Sequence, residues 1–441
     1  MIHWKTLAAA GALAFGLGQT AQSAQAATNI ELYFPVPVQG KLANKMKSLM
    51  EAFNKAHPDI DATAVYTGSY DETNLKTRAA IRAGNPPAAV IMSANFILEY
   101  QINNEIQPLD PMIKADGMTD KSFMDQYWQA LHGNAEFAGH VWAVPFQNST
   151  PLLYLNVKAF KEAGLNPDNP PQTWAEWADA AKKLTKRDGN SVSQYGLMMP
   201  GNYDYLGWIV SALDMSNGGQ YYNTDFGGEV YYDQPSMLGA VRFMHNLVFK
   251  DKVMPQGVTN AKDVSTSFFA GKAAMVVLST GALSFVRDNM KDNFRVAFLP
   301  GHLRHAVAIG GASLMMPKGL SPAKQEAAWT LIKWLTSPKV AGEWSRFTGY
   351  FAPNKGAYDL PEMKDFMAQH PNAQVALKQL AYAHPWFATY NTVAVRKALE
   401  DQVQAVLSGN ETPEKAVKAA QAKADQLMAP YVAQTALKLP D

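Results

Sequence analysis

Residues Val144–Trp177 read VPFQNSTPLLYLNVKAFKEAGLNPDNPPQTWAEW. An apolar approach through Trp142, Val144 and Phe146 gives way to a polar knot, Gln147-Asn148-Ser149-Thr150, then to Pro151 and the apolar run Leu152–Leu155. This pattern predicts a strand, a polar crossing and a second strand. Asn156 then has the chemistry of an N-cap for a short helix ending at Gly164, and Thr173-Trp174-Ala175-Glu176 has the form of a capping box. A polar knot between two buried runs is a place where a ligand can meet backbone. On this segment alone, a surface turn in any α/β protein is an equal reading.

Upstream, the chain alternates strand and helix. Strands are expected at Ile30–Phe34, Asp59–Tyr66 and Ala88–Met92, and helices at Lys41–Ala56 and Asp71–Ala83. In the first of these helices Leu42, Met46, Leu49, Met50 and Phe53 form one apolar stripe. Such alternation implies a parallel sheet with ligands beyond the carboxyl ends of its strands. Downstream of Leu152 the same logic is expected to repeat, with helices at Thr173–Lys186, Ser236–Lys250 and Asp263–Ala270 and a strand at Ala273–Leu278. That strand runs into Ser279-Thr280-Gly281 ahead of a helix. A helix N-terminus there offers free backbone N–H groups to an oxyanion, although Ser279 or Thr280 could equally serve only as a cap.

Phe294–Leu299 reads as a strand returning toward the first lobe, and Gly310-Gly311 within an apolar run marks a bulge or a close backbone approach. Helices are expected at Pro322–Leu335 and Ser337–Phe347, the second stopped by Gly349 and Pro353 so that Tyr350 lies on a loop. The tail is helical around Val393–Leu407 and Thr412–Met428.

The ends and the composition narrow the class. Lys5, an apolar run from Leu7 to Leu17 and Ala24-Gln25-Ala26 make a secretory signal peptide over residues 1–26. Its removal takes Lys5 away and lowers the formal charge from +1 to 0. Nothing in that balance points to nucleic acid or a membrane surface as partner. The chain has no cysteine, so an exported form is held by its core alone and carries no lipid anchor, which suits the periplasm. Its size favours two domains over one.

Catalytic motifs are missing from the sequence. The nine histidines are scattered, and neither His-Glu-x-x-His, nor Gly-x-Ser-x-Gly, nor a Walker loop occurs. No enzyme activity, metal or cofactor is expected, and a secreted hydrolase is the weakest of the rivals. What recurs is donors without a nucleophile's apparatus. Tyr70, Ser149, Ser279, Gly311, Tyr350 and Arg396 offer hydroxyls, a backbone N–H and one guanidinium, the equipment for a phosphate.

Taken together, Val65–Asp71 (VYTGSYD), Arg82–Ala88 (RAGNPPA), Pro145–Pro151, Ile309–Leu314 and Thr348–Tyr350 resemble the periplasmic sn-glycerol-3-phosphate-binding proteins of ABC importers, within the family-1 extracellular solute-binding proteins. The resemblance covers nearly the whole mature chain. It implies the maltose-binding type of fold, two α/β lobes with the ligand cleft between them. Residues 27–147 with 304–350 are then expected as the first lobe, and 148–303 with 351–441 as the second. By position, the resemblance makes Tyr70, Ser149, Ser279, Gly311, Tyr350 and Arg396 the groups around a phosphate. It also implies inner-membrane permease subunits with a cytoplasmic ATPase as partners, and the chain itself is expected to be a monomer. For Arg396 the alternative is a surface arginine on an exposed helix face.

One departure stands out. Where the family places a glutamate that accepts from the glycerol hydroxyls, this chain has Ala94; the equal alternative is that Ser93, Asn95 or Gln39 restores the acceptor and leaves glycerol 3-phosphate preferred. Phe34–Lys41 also departs from the family's more acidic version. Either Tyr205 or Trp208 takes the place of the family's tryptophan at the ligand. The open end at Ala94 is expected to admit a glycerophosphodiester such as glycerophosphocholine at least as well as glycerol 3-phosphate. The aromatic content, with Trp142, Trp208 and Trp386, keeps an oligosaccharide receptor as the alternative.

Overall fold

Strands and helices alternate from Thr28 in the computed structural model, which describes residues 27–35, 41–189 and 191–436. The expected signal peptide, Gln39 and most of the departing segment around it lie outside the described residues. Strand Thr28–Pro35 turns Ile30, Leu32 and Phe34 inward. It pairs in parallel with both Ile60–Gly68 and Ala89–Ser93. Helix Lys41–Ala56 buries Leu42, Met46, Leu49, Met50 and Phe53, the five residues of the expected stripe. They share a core with Trp329, Leu331 and Ile332 of helix Pro322–Leu335. The parallel arrangement ends there, because Gly310–Met315 enters antiparallel between Ala89–Ser93 and Ala143–Ser149 to complete a five-stranded sheet.

The crossing read from the sequence is present, and it is a single residue. Ala143–Ser149 closes the first sheet, Thr150 stands alone, and Pro151–Asn156 becomes the central strand of a second sheet. Proline at a strand's first position gives up no ladder bond that the strand needs. Far from forming a surface turn, Gln147, Asn148, Ser149 and Thr150 are all buried. Burial requires partners for the polar atoms, and Gln379 supplies several. Its amide donates to Thr150 Oγ1 and to the Pro151 carbonyl, both at 2.8 Å, while its own carbonyl accepts from Leu299 N at 2.8 Å.

In the second sheet both outer strands, Met275–Ser279 and Phe294–Phe298, run antiparallel to Pro151–Asn156. Two expectations are thereby corrected. The second block does not repeat the parallel logic of the first, and Phe294–Leu299 does not return toward the first sheet. With Phe294 opposite Asn156 and Phe298 opposite Leu152, its backbone is satisfied on the free edge of the central strand. The return comes later, where Val307–Ala308 pairs with Ala383–His384, Ile309 N donates to the His384 carbonyl at 2.8 Å, and Gly310 opens the strand of the first sheet.

A third link follows helix Pro338–Thr348, which stops at Gly349 in the left-handed conformation (φ 100°) as the sequence predicts. Beyond Tyr350 the chain stays with the first block for several residues, the Ala352 carbonyl accepting from Trp128 Nε1 at 3.0 Å and Lys355 N donating to Gln126 O at 2.8 Å. Only then do Asn372 and Gln379 bind the second sheet through Val296 N and Leu299 N. One core surrounds the five-stranded sheet. A larger one joins the second sheet to helices Trp174–Leu184, Tyr205–Ser216 and Thr392–Ser408. This is the two-lobed α/β architecture expected from the sequence.

Candidate functional site

Where the crossings meet, a narrow cavity lies between the two sheets. Five of the six expected donors line it. Tyr70 opens helix Tyr70–Arg82, which is fixed by a capping box in which Ser69 Oγ accepts from Glu72 N at 3.2 Å and the Glu72 carboxylate accepts from Ser69 N at 2.6 Å. The Tyr70 hydroxyl accepts from Gln147 Nε2 at 3.2 Å. Ser149 ends its strand at the crossing, and Ser279 ends the neighbouring strand of the second sheet opposite Pro151, so the one-residue link itself brings the two hydroxyls near each other. Tyr350 lies against Gly281, where any side chain would strike the tyrosine ring. Burial raises the hydroxyl pKa values of Tyr70 and Tyr350, so both stay protonated and able to donate.

Gly310 and Gly311 meet the expectation of a close backbone approach. A Cβ at Gly310 would come within 2.7 Å of the Trp208 indole, and Gly311 has a φ of 77° that favours glycine. Ser279 does both things that its position allows: it lines the cavity, and its Oγ accepts from Gly281 N at 3.1 Å as a local cap.

Tyr205 and Trp208 both line the cavity, edge to face with ring centres 6.0 Å apart. The Trp208 indole N–H donates to the Ala308 carbonyl at 2.9 Å, which locks the ring in place. Burial pushes the Tyr205 hydroxyl up to about 12. Ala94 is fully buried and is not among the lining residues; its neighbour Ser93 is. Ser93 Oγ donates to Asn95 Oδ1 at 2.7 Å. Ser93, and not Ala94, thus lines the ligand space. Trp386 completes the aromatic wall, whereas Trp142 is packed in a separate cluster with its indole bonded to Phe137.

Arg396 has a different place from the one expected. It is neither on an exposed helix face nor on the cavity wall; it is buried one layer behind, among three carboxylates. Its Nη1 lies 2.6 Å from Asp204 Oδ1, its Nη2 3.3 Å from Asp71 and its Nε 3.3 Å from Glu400. Burial raises the Glu400 pKa to about 7 against the pull of Arg396, and burial likewise raises that of Asp204. The member of this cluster that reaches the cavity is Asp204.

Asp204 precedes helix Tyr205–Ser216 in the position of an N-cap. It does not cap. Its φ is 71° and its side chain makes no capping bond. Glu400 Oε1 accepts from both Asp204 N (2.9 Å) and Gly207 N (3.0 Å) instead. The sequence reading passed over Asp204 and Gly281 as ligand groups, and counted Trp386 only as an aromatic. None of the three carries a local signal that separates a wall residue from a turn or core residue.

The bacterial extracellular solute-binding protein family matches residues 48–375. An sn-glycerol-3-phosphate-binding periplasmic protein of Escherichia coli is 30% identical over 438 residues, spanning 95% of this chain and 96% of that one. Among solved structures, UgpB from Mycobacterium tuberculosis in complex with glycerophosphocholine superposes with a TM-score of 0.80 at 24% identity, covering 92% of this chain and 99% of the other. Maltose-bound MalE3 of T. maritima superposes with a TM-score of 0.78 at 25% identity, covering 91% and 100%. The chain therefore belongs to the bacterial extracellular solute-binding protein family, and within it stands with the periplasmic glycerol-phosphate-binding members.

Proposed function

We propose that this protein receives a glycerol phosphate ester, glycerol 3-phosphate or a glycerophosphodiester, in the cleft between its lobes and hands it to an ABC importer. The observation that carries this reading is the convergence of Tyr70, Ser149, Ser279, Gly311 and Tyr350 on one cavity. They come from five separate segments and both sheets, and are the neutral donors a phosphate needs. The relative at 30% identity is named for the same ligand class. Closing follows from the same geometry, since a ligand bonded to Tyr70 on one side and Ser279 on the other favours the closed population by its contacts to both lobes.

The protein acts in this reading as a receptor and not as a catalyst. Among the described residues its lining pairs no histidine or lysine with Ser149 or Ser279, the usual bases that activate a serine. Delivery requires a permease and an ATPase, the partners with which this family works, and the receptor acts as a monomer. Isothermal titration with glycerol 3-phosphate, glycerophosphocholine and maltose tests the proposal. Heat from the phosphate esters with none from maltose is expected. Binding of maltose alone would transfer the site to the sugar-receptor reading, which the Tyr205, Trp208 and Trp386 wall otherwise favours.

A further inference from the structure

The charge around the cavity is of the wrong sign for a highly anionic ligand. Arg396 is the single buried cation nearby, and it is shared among Asp71, Asp204 and Glu400. Lys397 adds one more positive group, 3.7 Å from Asp71 and half-exposed. Among the described residues no arginine, lysine or histidine lines the cavity itself, whereas one carboxylate, Asp204, does.

The fold has gone to some length to keep that carboxylate free. An aspartate at this helix start would ordinarily turn back onto the N–H groups of the first turn. Glu400 takes the one such group at Gly207 N and also accepts from Asp204 N, while Asp204 is held at a positive φ of 71° with Oδ1 engaged by Arg396. Beside it stand Tyr205, Trp208 and Trp386, whose faces attract a desolvated cation.

We propose that Asp204 selects the ligand by charge, receiving the cationic head of a zwitterionic glycerophosphodiester whose phosphate is met by the neutral donors. This deepens the function proposed above and rests on it. A diester phosphate carries one negative charge, which hydroxyls and backbone N–H groups can satisfy. A phosphate monoester brings close to two negative charges near neutral pH into a space where Asp204 already stands, and in a site of low effective dielectric that repulsion is weakly screened. The ammonium of a zwitterion turns the same carboxylate from a penalty into a contact.

The test compares two diesters of glycerol phosphate that differ in one atom of the head, choline and its uncharged 3,3-dimethylbutyl isostere, by isothermal titration. The unaltered protein is expected to bind the choline ester more tightly by about tenfold or more, the factor expected when a favourable cation contact is withheld. It is also expected to bind it more tightly than glycerol 3-phosphate. Asp204→Asn, which keeps the shape, should bring the two diesters to within about twofold. Equal binding of the two heads by the unaltered protein, or an equal loss for both in the variant, would overturn the role of Asp204 while leaving the ligand class standing. If neither diester nor glycerol 3-phosphate binds, the proposed function falls and this assignment with it. The head-group comparison in the unaltered protein stands even if the variant fails to fold.

Discussion

Glu400 accepts the backbone N–H of Gly207 at 3.0 Å, so an acid 193 residues away makes the capping bond that Asp204 would otherwise make at the start of its own helix. A carboxylate near a helix N-terminus is favoured by the partial positive charge there. Because Glu400 Oε1 also accepts from Asp204 N at 2.9 Å, both N–H groups are satisfied without the Asp204 side chain. The consequence is a network of three acids about Arg396 in which only Asp204 reaches the cavity.

Arg396→Ala should therefore act on stability before it acts on ligand binding. It leaves Asp71, Asp204 and Glu400 with their main partner removed, and breaking a buried ion pair in this way typically costs about 3–5 kcal/mol. Urea denaturation of the unliganded variant measures this. An unchanged midpoint would show that the network contributes nothing to holding the fold.

Ser279→Ala removes two interactions at once. The cap on Gly281 N is expected to cost about 0.5–2 kcal/mol in the unliganded protein, and the lost donor about 0.5–3 kcal/mol in affinity for a phosphate ester. Denaturation and titration read the two separately. Loss of stability with affinity intact would leave Ser279 as a cap alone.

Gly311→Ala places a methyl where φ is 77° and where the Gln147 carbonyl and the Asn148 Cα already stand, the latter 2.8 Å from the new atom. A strained backbone of this kind costs about 1–3 kcal/mol, and the strand must shift out of register with Asn148 to relieve it. Both the denaturation midpoint and ligand affinity are expected to fall, whereas Gly84→Ala, also at positive φ but with open space around it, should leave affinity unchanged.

Asp214, fully buried in helix Tyr205–Ser216, gives a pH dependence with a definite sign. Burial pushes its carboxyl up to about 6, against the opposing pull of Ser236 and Arg304, from the 3.8 of an exposed aspartate. The folded form thus binds the proton more tightly than the unfolded chain. The stability this confers is fully present below the unfolded value and is lost as pH rises through about 6. Asp214→Asn removes the titration, and the difference in unfolding free energy between the two proteins should change by up to about 3 kcal/mol between pH 4 and 7. A constant difference across that range would refute the burial effect.

Much of the framework was legible because its causes are local. The apolar stripe of Lys41–Ala56, the capping box at Thr173, the left-handed stop at Gly349 and the strand-crossing-strand pattern around Thr150 each depend on residues within one turn or one strand of each other. So did the donors at strand ends and helix starts, and this is why Tyr70, Ser149, Ser279, Gly311 and Tyr350 could be named before their common cavity was seen. Which of Ser93 and Ala94 lines the cavity was not legible, because successive side chains at a strand end face opposite sides and a shift of one residue exchanges them.

The remainder was decided by which segments pack together. Phe294–Phe298 stayed in the second sheet because the free edge of Pro151–Asn156 was there to satisfy it, a fact about the partner strand and not about its own residues. Arg396 reads as a plain helical arginine until folding brings Asp71, 325 residues earlier, and Asp204 against it. The residue types set what each group can donate, accept or carry as charge. Whether Arg396 faces a ligand or three acids, and whether Asp204 caps a helix or faces the cleft, depends on distances of about 3 Å between parts of the chain hundreds of residues apart, and only the tertiary structure sets those.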